Sequence, residues 1–295
     1  MNRQGENKMK KLVTLTVLAT VVFSIFTGCT KSGFDQESSI SVVSREDGSG
    51  TRGAFIELFG IEEKAADGTK KDNTTKEAVI ADKTDIMLTN ISNNDYAIGY
   101  VSLGSLNDTV KALDVDGVKA TTENVKNGEY KISRPFNIAT KGEPTGLTSD
   151  FMNFIFSKEG QEVVSKSYIT IDDKAPAYSG NKPSGKIVVG GSSSVSPLME
   201  KLIEAYKLIN KNATIELQIN DSSTGMKDTI SGTLDIGMAS RELKDSEKAE
   251  LKDSAIALDG IAVIVNSKNT LTNVTTEQVT EIFTGKSTKW SQIIK

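Results

Sequence analysis

Three short apolar runs in this chain each lead into a cluster of glycine and hydroxyl residues, and a helix-like apolar periodicity follows every cluster. The clusters are SREDGSGTR at residues 44–52, GGSSSVSP at 190–197 and NDSSTG at 220–225. An apolar run that meets glycine and then a 3.6-residue period is typical of a strand followed by a helix. Alternating strands and helices with polar residues at the strand C-termini predict an α/β fold that binds a ligand in a crevice.

The first cluster has the residue types that an anion site needs. Gly48 and Gly50 let the backbone turn sharply, while Ser49 and Thr51 place hydroxyls where a helix begins. A helix start carries free N–H groups and the positive end of the helix dipole, and Arg45 adds a fork suited to a phosphate-like oxyanion. The same hydroxyls would equally serve as helix caps beside a solvated arginine. This cluster alone leaves both interpretations open.

The combination of clusters favours a bound ion. A single serine at a helix start is most often only an N-cap. Three hydroxyl-rich junctions together with the Arg45 loop would supply many neutral donors and one strong cation. A further strand-like run ends in Ser240 and Arg241. The sequence therefore indicates a small anion held in a cleft.

Charge and composition exclude several other functions. The formal net charge is −4 and the chain has no histidine. An acidic protein without a basic stripe is a poor candidate for nucleic-acid binding, and the missing histidine removes the commonest general base and metal ligand. The sequence GKS at residues 285–287 ends like a phosphate loop, but Thr280 stands where that motif needs glycine. The sequence contains no Gly-x-Ser-x-Gly segment, so it does not predict a serine hydrolase.

The N-terminus predicts export and a lipid anchor. Lys10 and Lys11 precede an apolar run at residues 12–26, and the only cysteine, Cys29, closes it. This ending resembles the lipobox of bacterial lipoproteins, which implies cleavage before Cys29 and diacylglyceryl attachment to its sulfur. We expect a signal peptide at residues 1–29, with translation starting at Met1 or at Met9, and a polar tether at residues 30–39.

Other segments give coarser predictions. Residues 60–83 are charged and predict surface helix and loops, and the apolar spacing over 149–168 predicts one amphipathic helix. The alternation over 110–118 around Asp116 and Gly117 predicts a hairpin. Residues 177–186 are rich in glycine, proline and serine and predict a connector. A length of 295 residues allows two domains.

Together these motifs resemble the phosphate-binding protein of the bacterial phosphate ABC transporter, a family with the type II periplasmic-binding-protein fold. The matching stretches are 187–202, 217–243, 256–290, 40–59, 95–100 and 130–142. In the family the GGSSS segment comes first, whereas here the second half of the pattern precedes the first. The resemblance therefore implies a circularly permuted chain, with a rearranged or misassembled gene as the alternative.

The permuted order implies a particular pair of α/β domains with the ligand cleft between them. One domain is split over residues 40–128 and 267–295, and the other is continuous over residues 129–266. The chain would cross between them near residues 128–132 and 262–268. The connector at 177–186 would join the family's old termini.

The resemblance also implies a set of phosphate ligands. Asp47 would orient the arginine of this set. The family's proton-accepting aspartate falls on Ser240 here, and a hydroxyl does not repel sulfate as a carboxylate does. Asp221 or Glu46 could supply the missing acceptor. The implied ligands are Arg45, Ser49, Gly50, Thr51, Ser193, Ser194, Ser222 and Ser240.

The implied function is that of a lipid-anchored receptor on the extracytoplasmic face of the cell membrane. It would bind inorganic phosphate as a monomer, without cofactor or metal, and present it to the permease and ATPase subunits of an ABC transporter. The alternatives are a surface phosphate sensor or adhesin, or a general oxyanion binder, neither coupled to transport. A phosphatase is a more distant alternative.

Overall fold

A computed structural model of the protein describes residues 33–65 and 69–294. Its contacts divide the chain into two units, Met1–Asp35 and Gln36–Lys295, and the fold below is that of the second unit. The predicted signal peptide, the alternative start at Met9 and Cys29 lie outside the described residues.

The described part of the chain alternates strands and helices. The strands are β1 (Ser41–Arg45), β2 (Glu62–Lys64), β3 (Lys70–Asp72), β4 (Val79–Ala81), β5 (Ala97–Ser102), β6 (Val110–Ala112), β7 (Asp114–Val115), β8 (Ser133–Thr140), β9 (Gly185–Ser192), β10 (Ala213–Asn220), β11 (Ile236–Ala239), β12 (Lys252–Asn266) and β13 (Asn273–Val274). The helices are α1 (Gly50–Leu58), α2 (Thr84–Ser92), α3 (Thr122–Lys126), α4 (Gly146–Ile155), α5 (Lys158–Val164), α6 (Ser196–Ile209), α7 (Ser222–Ser231), α8 (Asp245–Lys248) and α9 (Thr276–Phe283). Short 3-10 turns lie at Leu103–Ser105 and Trp290–Gln292.

Nine of these strands form one mixed sheet. Their order is β10-β9-β11-β8-β12-β5-β1-β4, with β6 added on β12. Strands β9, β10 and β11 run parallel to one another, and so do β1, β4 and β5. Two smaller two-stranded sheets pair β13 with β7 and β2 with β3. The mixed α/β class predicted from the sequence is confirmed.

The long strand β12 belongs to both sides of the sheet. Its residues 252–260 pair with β8, whereas residues 261–265 pair with β5. We call β4, β1, β5 and β6 the β1 half, and β10, β9, β11 and β8 the β9 half. The strand passes from one half to the other between Gly260 and Ile261. The domain boundaries given above stay a prediction.

Each half has its own hydrophobic core. The core of the β9 half includes Phe151, Phe154, Tyr206 and Met238, all buried, and the core of the β1 half includes Met87. Helix α6 shows how the sequence builds such a core. Pro197 suits its first turn, and its apolar residues recur every three or four positions, so that one face is buried. Each large side chain buried in this way contributes about 1.5–3 kcal/mol to folding. The buried face of α6 comprises Leu198, Met199, Leu202, Ile203 and Tyr206.

Two predictions about secondary structure are wrong. The described residues between 60 and 83 contain three short strands rather than a helix, because β2 and β3 pair as a hairpin and β4 adds to the edge beside β1. The single helix expected over 149–168 is divided into α4 and α5. The division lies at Ser157, whose hydroxyl accepts a hydrogen bond from Gly160 N and caps α5.

The predicted hairpin over 110–118 is confirmed only at its turn. Val115 and Val118 exchange two backbone hydrogen bonds, and Asp116 and Gly117 between them both have positive φ, as a two-residue hairpin turn requires. The flanking strands pair elsewhere, β6 with β12 and β7 with β13.

Part of the predicted tether belongs to the fold. Gln36 O accepts a hydrogen bond from Ser291 N, and Ile40 N donates to Thr288 O at 2.8 Å. Ser39 forms an isolated antiparallel bridge with Lys289. Residues 36–39 are therefore attached to the C-terminal segment and are not a free tether.

None of the helices within residues 33–65 and 69–294 has the length and apolar character needed to cross a membrane. The same residues contain no group of three or more acidic or sulfur side chains placed to hold a metal ion.

Candidate functional site

Arg45 is the charged centre of the candidate site. It ends β1, and its side chain is only 3% exposed. Its Nε and Nη2 each donate to the Glu46 carboxylate at 2.7 Å, and its Nη2 also donates to Ser193 Oγ at 3.0 Å. The backbone N–H of Arg45 donates to the Tyr100 hydroxyl, whose pKa is raised by burial. These contacts fix a permanent cation in a buried place.

A chain of hydroxyl groups runs from Arg45 across the two halves of the sheet. Thr51 Oγ1 lies 2.7 Å from Ser194 Oγ, and the two residues belong to opposite halves. Ser194 Oγ and Ser193 Oγ each lie 3.3 Å from Thr84 Oγ1. Such a chain offers neutral donors to a polyoxygen anion from both sides.

The same hydroxyl chain continues to the end of β11. Ser240 Oγ lies 3.5 Å from Thr51 Oγ1 and accepts a hydrogen bond from Ser192 Oγ at 2.9 Å. Ser240 N donates to Ser222 Oγ at 3.1 Å. Residues from three strand-to-helix junctions thus meet at one place, as parallel strands with a common C-terminal edge allow. We use "hydroxyl chain" below for Ser192, Ser193, Ser194, Ser240, Thr51 and Thr84.

Two glycines permit this close approach. A Cβ atom on Gly50 would lie 2.4 Å from Ser222 Oγ and 2.8 Å from Ser240 Oγ. Gly48 has φ +89°, and a Cβ there would lie 2.5 Å from Asp221 Oδ1. Its carbonyl accepts hydrogen bonds from both the N–H and the hydroxyl of Ser223, each at 3.2 Å. Side chains at these two positions would hold the halves apart.

The expected orienting role of Asp47 needs correction. Asp47 is 98% exposed and pairs with Arg52 at 2.8 Å, whereas the carboxylate on Arg45 is that of Glu46. Arg52 also donates to the backbone carbonyl of Arg45 at 2.9 Å. The turn at Gly48 directs the Asp47 side chain outward. Asp47 therefore acts on Arg45 only through Arg52.

Two further predicted residues lie at helix caps. Ser49 Oγ accepts from Arg52 N and caps α1. Asp221 caps α7, and its two carboxylate oxygens accept from the N–H and the hydroxyl of Thr224. Neither side chain joins the hydroxyl chain, so Asp221 is not placed as the missing proton acceptor. Glu46 is the carboxylate that contacts the site, through Arg45.

Sequence reasoning missed Thr84, which contacts Arg45, Ser193 and Ser194. A threonine before an apolar segment is the same kind of signal as the hydroxyls of the three clusters. Here it follows Asp82 and Lys83 instead of glycine or serine, so the pattern did not stand out.

A cleft of about 760 Å³ is lined by residues 47–49 and part of α1, by residues 133–135 and by residues 241–245, and its lining includes no member of the hydroxyl chain. Arg241, on this wall, donates to both carboxylate oxygens of Glu247 at 2.7 and 2.8 Å. Burial acts to raise the pKa of Glu247, but hydrogen bonds, with that from Arg241 the strongest, leave it below its usual range. Arg52 pairs with Asp72 on the opposite wall. The carboxylates of Asp72 and Glu247 thus neutralise Arg52 and Arg241 on the cleft walls.

Comparison with known proteins agrees with this architecture. Residues 19–159 and 176–294 match the model of the PBP superfamily domain. Over 98% of this chain and 99% of the relative, 51% of residues are identical to "Phosphate-binding protein PstS 2" of Streptococcus agalactiae. The chain belongs to the PstS family of the PBP superfamily.

Two further family members show the same likeness. "Phosphate-binding protein PstS 2" of Streptococcus pneumoniae serotype 4 is 46% identical over 97% of this chain and 99% of its own length. The crystal structure of a phosphate ABC transporter, phosphate-binding protein from S. pneumoniae TIGR4 covers 87% of this chain and all of its own, with 48% identity and a TM-score of 0.69. This PstS-family chain and its S. agalactiae relative align over nearly their whole lengths, and the circular permutation within the family stays a prediction.

Proposed function

We propose that this protein binds inorganic phosphate between the two halves of its sheet and delivers it to an ABC transporter. The observation that carries the proposal is the buried Arg45 at one end of a hydroxyl chain that both halves contribute to. Family membership supports it, because the curated relatives are named as phosphate-binding proteins.

The chemistry of the site suits a small tetrahedral anion. Arg45 brings one positive charge, and Glu46 offsets part of it, so neutral donors carry much of the binding. Serine and threonine hydroxyls can rotate, and each can donate to one anion oxygen while accepting from a neighbour. The starts of α1 and α7 add backbone N–H groups and the positive ends of helix dipoles.

We propose a binding protein and not an enzyme. The chain has no histidine, and the hydroxyls that meet at the site contact one another and Arg45. A serine nucleophile would need a base within hydrogen-bond reach. Neutral hydroxyl partners can hold an anion but do not activate a nucleophile.

The location and partners belong to the same proposal. Cleavage before Cys29 and lipidation of its sulfur would hold the protein, as a monomer, on the extracytoplasmic face of the membrane. The permease and ATPase subunits would then receive the loaded form after the halves close on the anion. Globomycin-sensitive processing and incorporation of labelled palmitate, both lost in Cys29→Ala, would support the anchor.

The experiment is calorimetric titration of the whole chain in a mild detergent with phosphate. Arg45→Gln removes the buried charge, and we expect it to weaken binding about 100-fold or more. Lys186→Ala is the matched control, because Lys186 lies in an exposed ion pair with Glu216 on the edge of the β9 half. The control should bind as the wild type does. A wild-type protein that gives no heat with phosphate would overturn the proposal.

A second candidate function is that of a general oxyanion binder, which Ser240 favours. Its hydroxyl contacts Ser192 and Thr51, so a carboxylate that would repel sulfate does not stand at this position. Titration with sulfate under the same conditions separates the two functions. Equal affinity for both ions would support the general binder, and a strong preference for phosphate would exclude it.

Coupling to transport needs a separate test. Restored phosphate uptake in cells that lack their own binding protein, and retain a permease from a close relative, would support delivery. Binding without restored uptake would favour a surface sensor.

A further inference from the structure

Thr84 lies among the candidate ligands but outside the set that the family resemblance implies. Its hydroxyl lies 3.3 Å from Ser193 Oγ, 3.3 Å from Ser194 Oγ and 3.4 Å from Arg45 Nη1. The residue is only 4% exposed. Its three partners therefore come from the opposite half of the sheet and from the charged centre of the site.

The hydrogen bond from Arg45 uses Thr84 Oγ1 as an acceptor and does not use the Thr84 proton. A guanidinium can only donate, so Arg45 Nη1 donates to Thr84 Oγ1, as Arg45 Nη2 donates to Ser193 Oγ. Each hydroxyl keeps one proton to give to another acceptor. An oxygen of an anion beside Arg45 would be the strongest acceptor within reach, because it carries charge.

Helix capping does not account for the Thr84 hydroxyl. Threonine at a helix start usually serves as the N-cap, but the cap residue of α2 is Lys83, which makes no side-chain capping bond. Helices α1 and α7 have side-chain caps from Ser49 and Asp221. The start of α2 therefore lies beside Arg45 with no side-chain cap on its first N–H groups.

We propose that Thr84 is a further anion ligand of this site and that it orients Arg45. It donates its proton to an oxygen of the bound phosphate while accepting from Arg45 Nη1, and the uncapped start of α2 adds to the field at that oxygen. The inference rests on the proposed function, because it assigns a residue to the same site. With Thr84, the β1 half contributes three side chains to the anion site, the other two being Arg45 and Thr51.

The test compares phosphate affinities of the whole chain by calorimetric titration. Thr84→Val keeps the shape of the side chain and removes its hydroxyl, and we expect about 10- to 100-fold weaker binding. Thr84→Ser keeps the hydroxyl and should stay within about 3-fold of the wild type. Thr89→Val is the matched control, since Thr89 is an exposed threonine on the same helix whose hydroxyl donates to Asp85 O.

The thermal midpoint without phosphate reports whether each variant still folds. If Thr84→Val lowers it by more than about 5 °C, the comparison passes to Thr84→Ala against Thr84→Ser, which differ only in the hydroxyl. Wild-type affinity in Thr84→Val, or equal affinities in the alanine and serine variants, would overturn the inference and leave the proposed function standing. A wild-type protein that does not bind phosphate would overturn both.

Discussion

Arg45 and Glu46 are adjacent in sequence and paired in space, which limits the charge that the site presents to a ligand. Glu46 accepts one hydrogen bond from Nε and one from Nη2 at 2.7 Å each, while Nη2 also donates to Ser193 and Nη1 donates to Thr84. A cation held in this way loses little side-chain entropy when an anion arrives. Under the proposed function, preorganisation rather than net charge is therefore the basis of binding.

Gly50→Ala tests whether the two halves must approach as closely as they do. Alanine is the better helix former, so α1 should remain stable, but its Cβ would lie 2.4 Å from Ser222 Oγ. We expect phosphate affinity to fall about 10-fold or more while the thermal midpoint without ligand is kept. Gly53→Ala on the same helix is the control, because the nearest atom to its Cβ is Arg241 Cδ at 3.9 Å. Equal loss in both variants would contradict the prediction.

For single residues, the sequence predicted which residue types lie at the site better than it predicted which of them are in contact. Arg45, Thr51, Ser193, Ser194 and Ser240 meet as expected, because each lies at the end of a strand or the start of a helix. The sequence could not show which neighbouring carboxylate faces the arginine. That choice depends on how the backbone turns at a glycine with positive φ, which is a matter of three-dimensional packing.

Between elements, the most unusual contact is a buried ion pair where β12 changes partners. Arg134 on β8 and Asp259 on β12 lie opposite each other in register, with the charged atoms 3.1 Å apart and both side chains almost fully buried. Asp259 Oδ1 also accepts from Ser102 at the end of β5. Burial raises the pKa of Asp259 to about 6, although the nearby arginine opposes the shift. One carboxylate thus contacts β8 and β5, which lie in different halves.

Asp259→Ala should be strongly destabilising, because it leaves the buried guanidinium of Arg134 without its ionic partner. We expect the free energy of unfolding in urea to fall by about 3–5 kcal/mol. The double variant Asp259→Leu with Arg134→Met removes both charges and should recover most of that loss. A double variant no more stable than Asp259→Ala would show that altered packing, and not the unpaired charge of Arg134, causes the destabilisation.

Asp150 attaches the connector 177–186 to α4, and this attachment should depend on pH. The hydroxyls of Tyr178 and Tyr206 donate to its carboxylate, and so does Asn181 N at 2.8 Å. Burial acts to raise the pKa of Asp150, but these hydrogen bonds leave it below the ordinary value of 3.8. A lowered pKa stabilises the folded state above the unfolded pKa, and the contribution is lost as pH falls through the folded value.

Urea unfolding of the wild type and Asp150→Asn at several pH values gives the measurement. The variant should be less stable at neutral pH, and the difference should shrink between about pH 5 and about pH 3. A difference that stays constant over this range would contradict the assignment of the carboxylate as the titrating group.

The secondary structure shows where periodicity stops being informative. The spacing over 149–168 correctly predicted helix, but Ser157 caps a new one, and a Cβ on Gly160 would meet Phe154 O at 2.1 Å. Residues 60–83 lack an apolar period, and their strands are held by pairing with each other and with β1. Such pairing depends on distant partners, which a local pattern does not contain.

For the whole molecule, the two ends of the compact unit lie side by side. Residues 36–40 hydrogen-bond with residues 288–291, and the distance from Ile40 N to Thr288 O is 2.8 Å. Adjacent ends are what a permuted chain requires, since the ends must once have been joined or close. The connector at 177–186 would then be the newer junction.

A rearranged chain tests this prediction directly. It begins within the connector, joins the C-terminal end to residue 36 through a short glycine-serine linker, and omits residues 1–35. We expect it to fold and to bind phosphate with an affinity within about 10-fold of the present order, because no buried contact is cut. A chain opened inside β12 instead should fail to fold. Failure of the connector-opened chain as well would contradict the permuted origin.

The position of strand β12 in the sheet also determines how the molecule unfolds. It is central to the sheet, with β8 along its first nine residues and β5 along the next five, so that neither half has a complete sheet without it. Proteins with two separable domains commonly melt in two steps. If one half unfolded, β12 would remain in the other half with backbone hydrogen-bonding groups unpaired along part of its length. Calorimetry should therefore show a single transition whose van't Hoff and calorimetric enthalpies agree, and the molecule would behave as one cooperative unit despite its two cores.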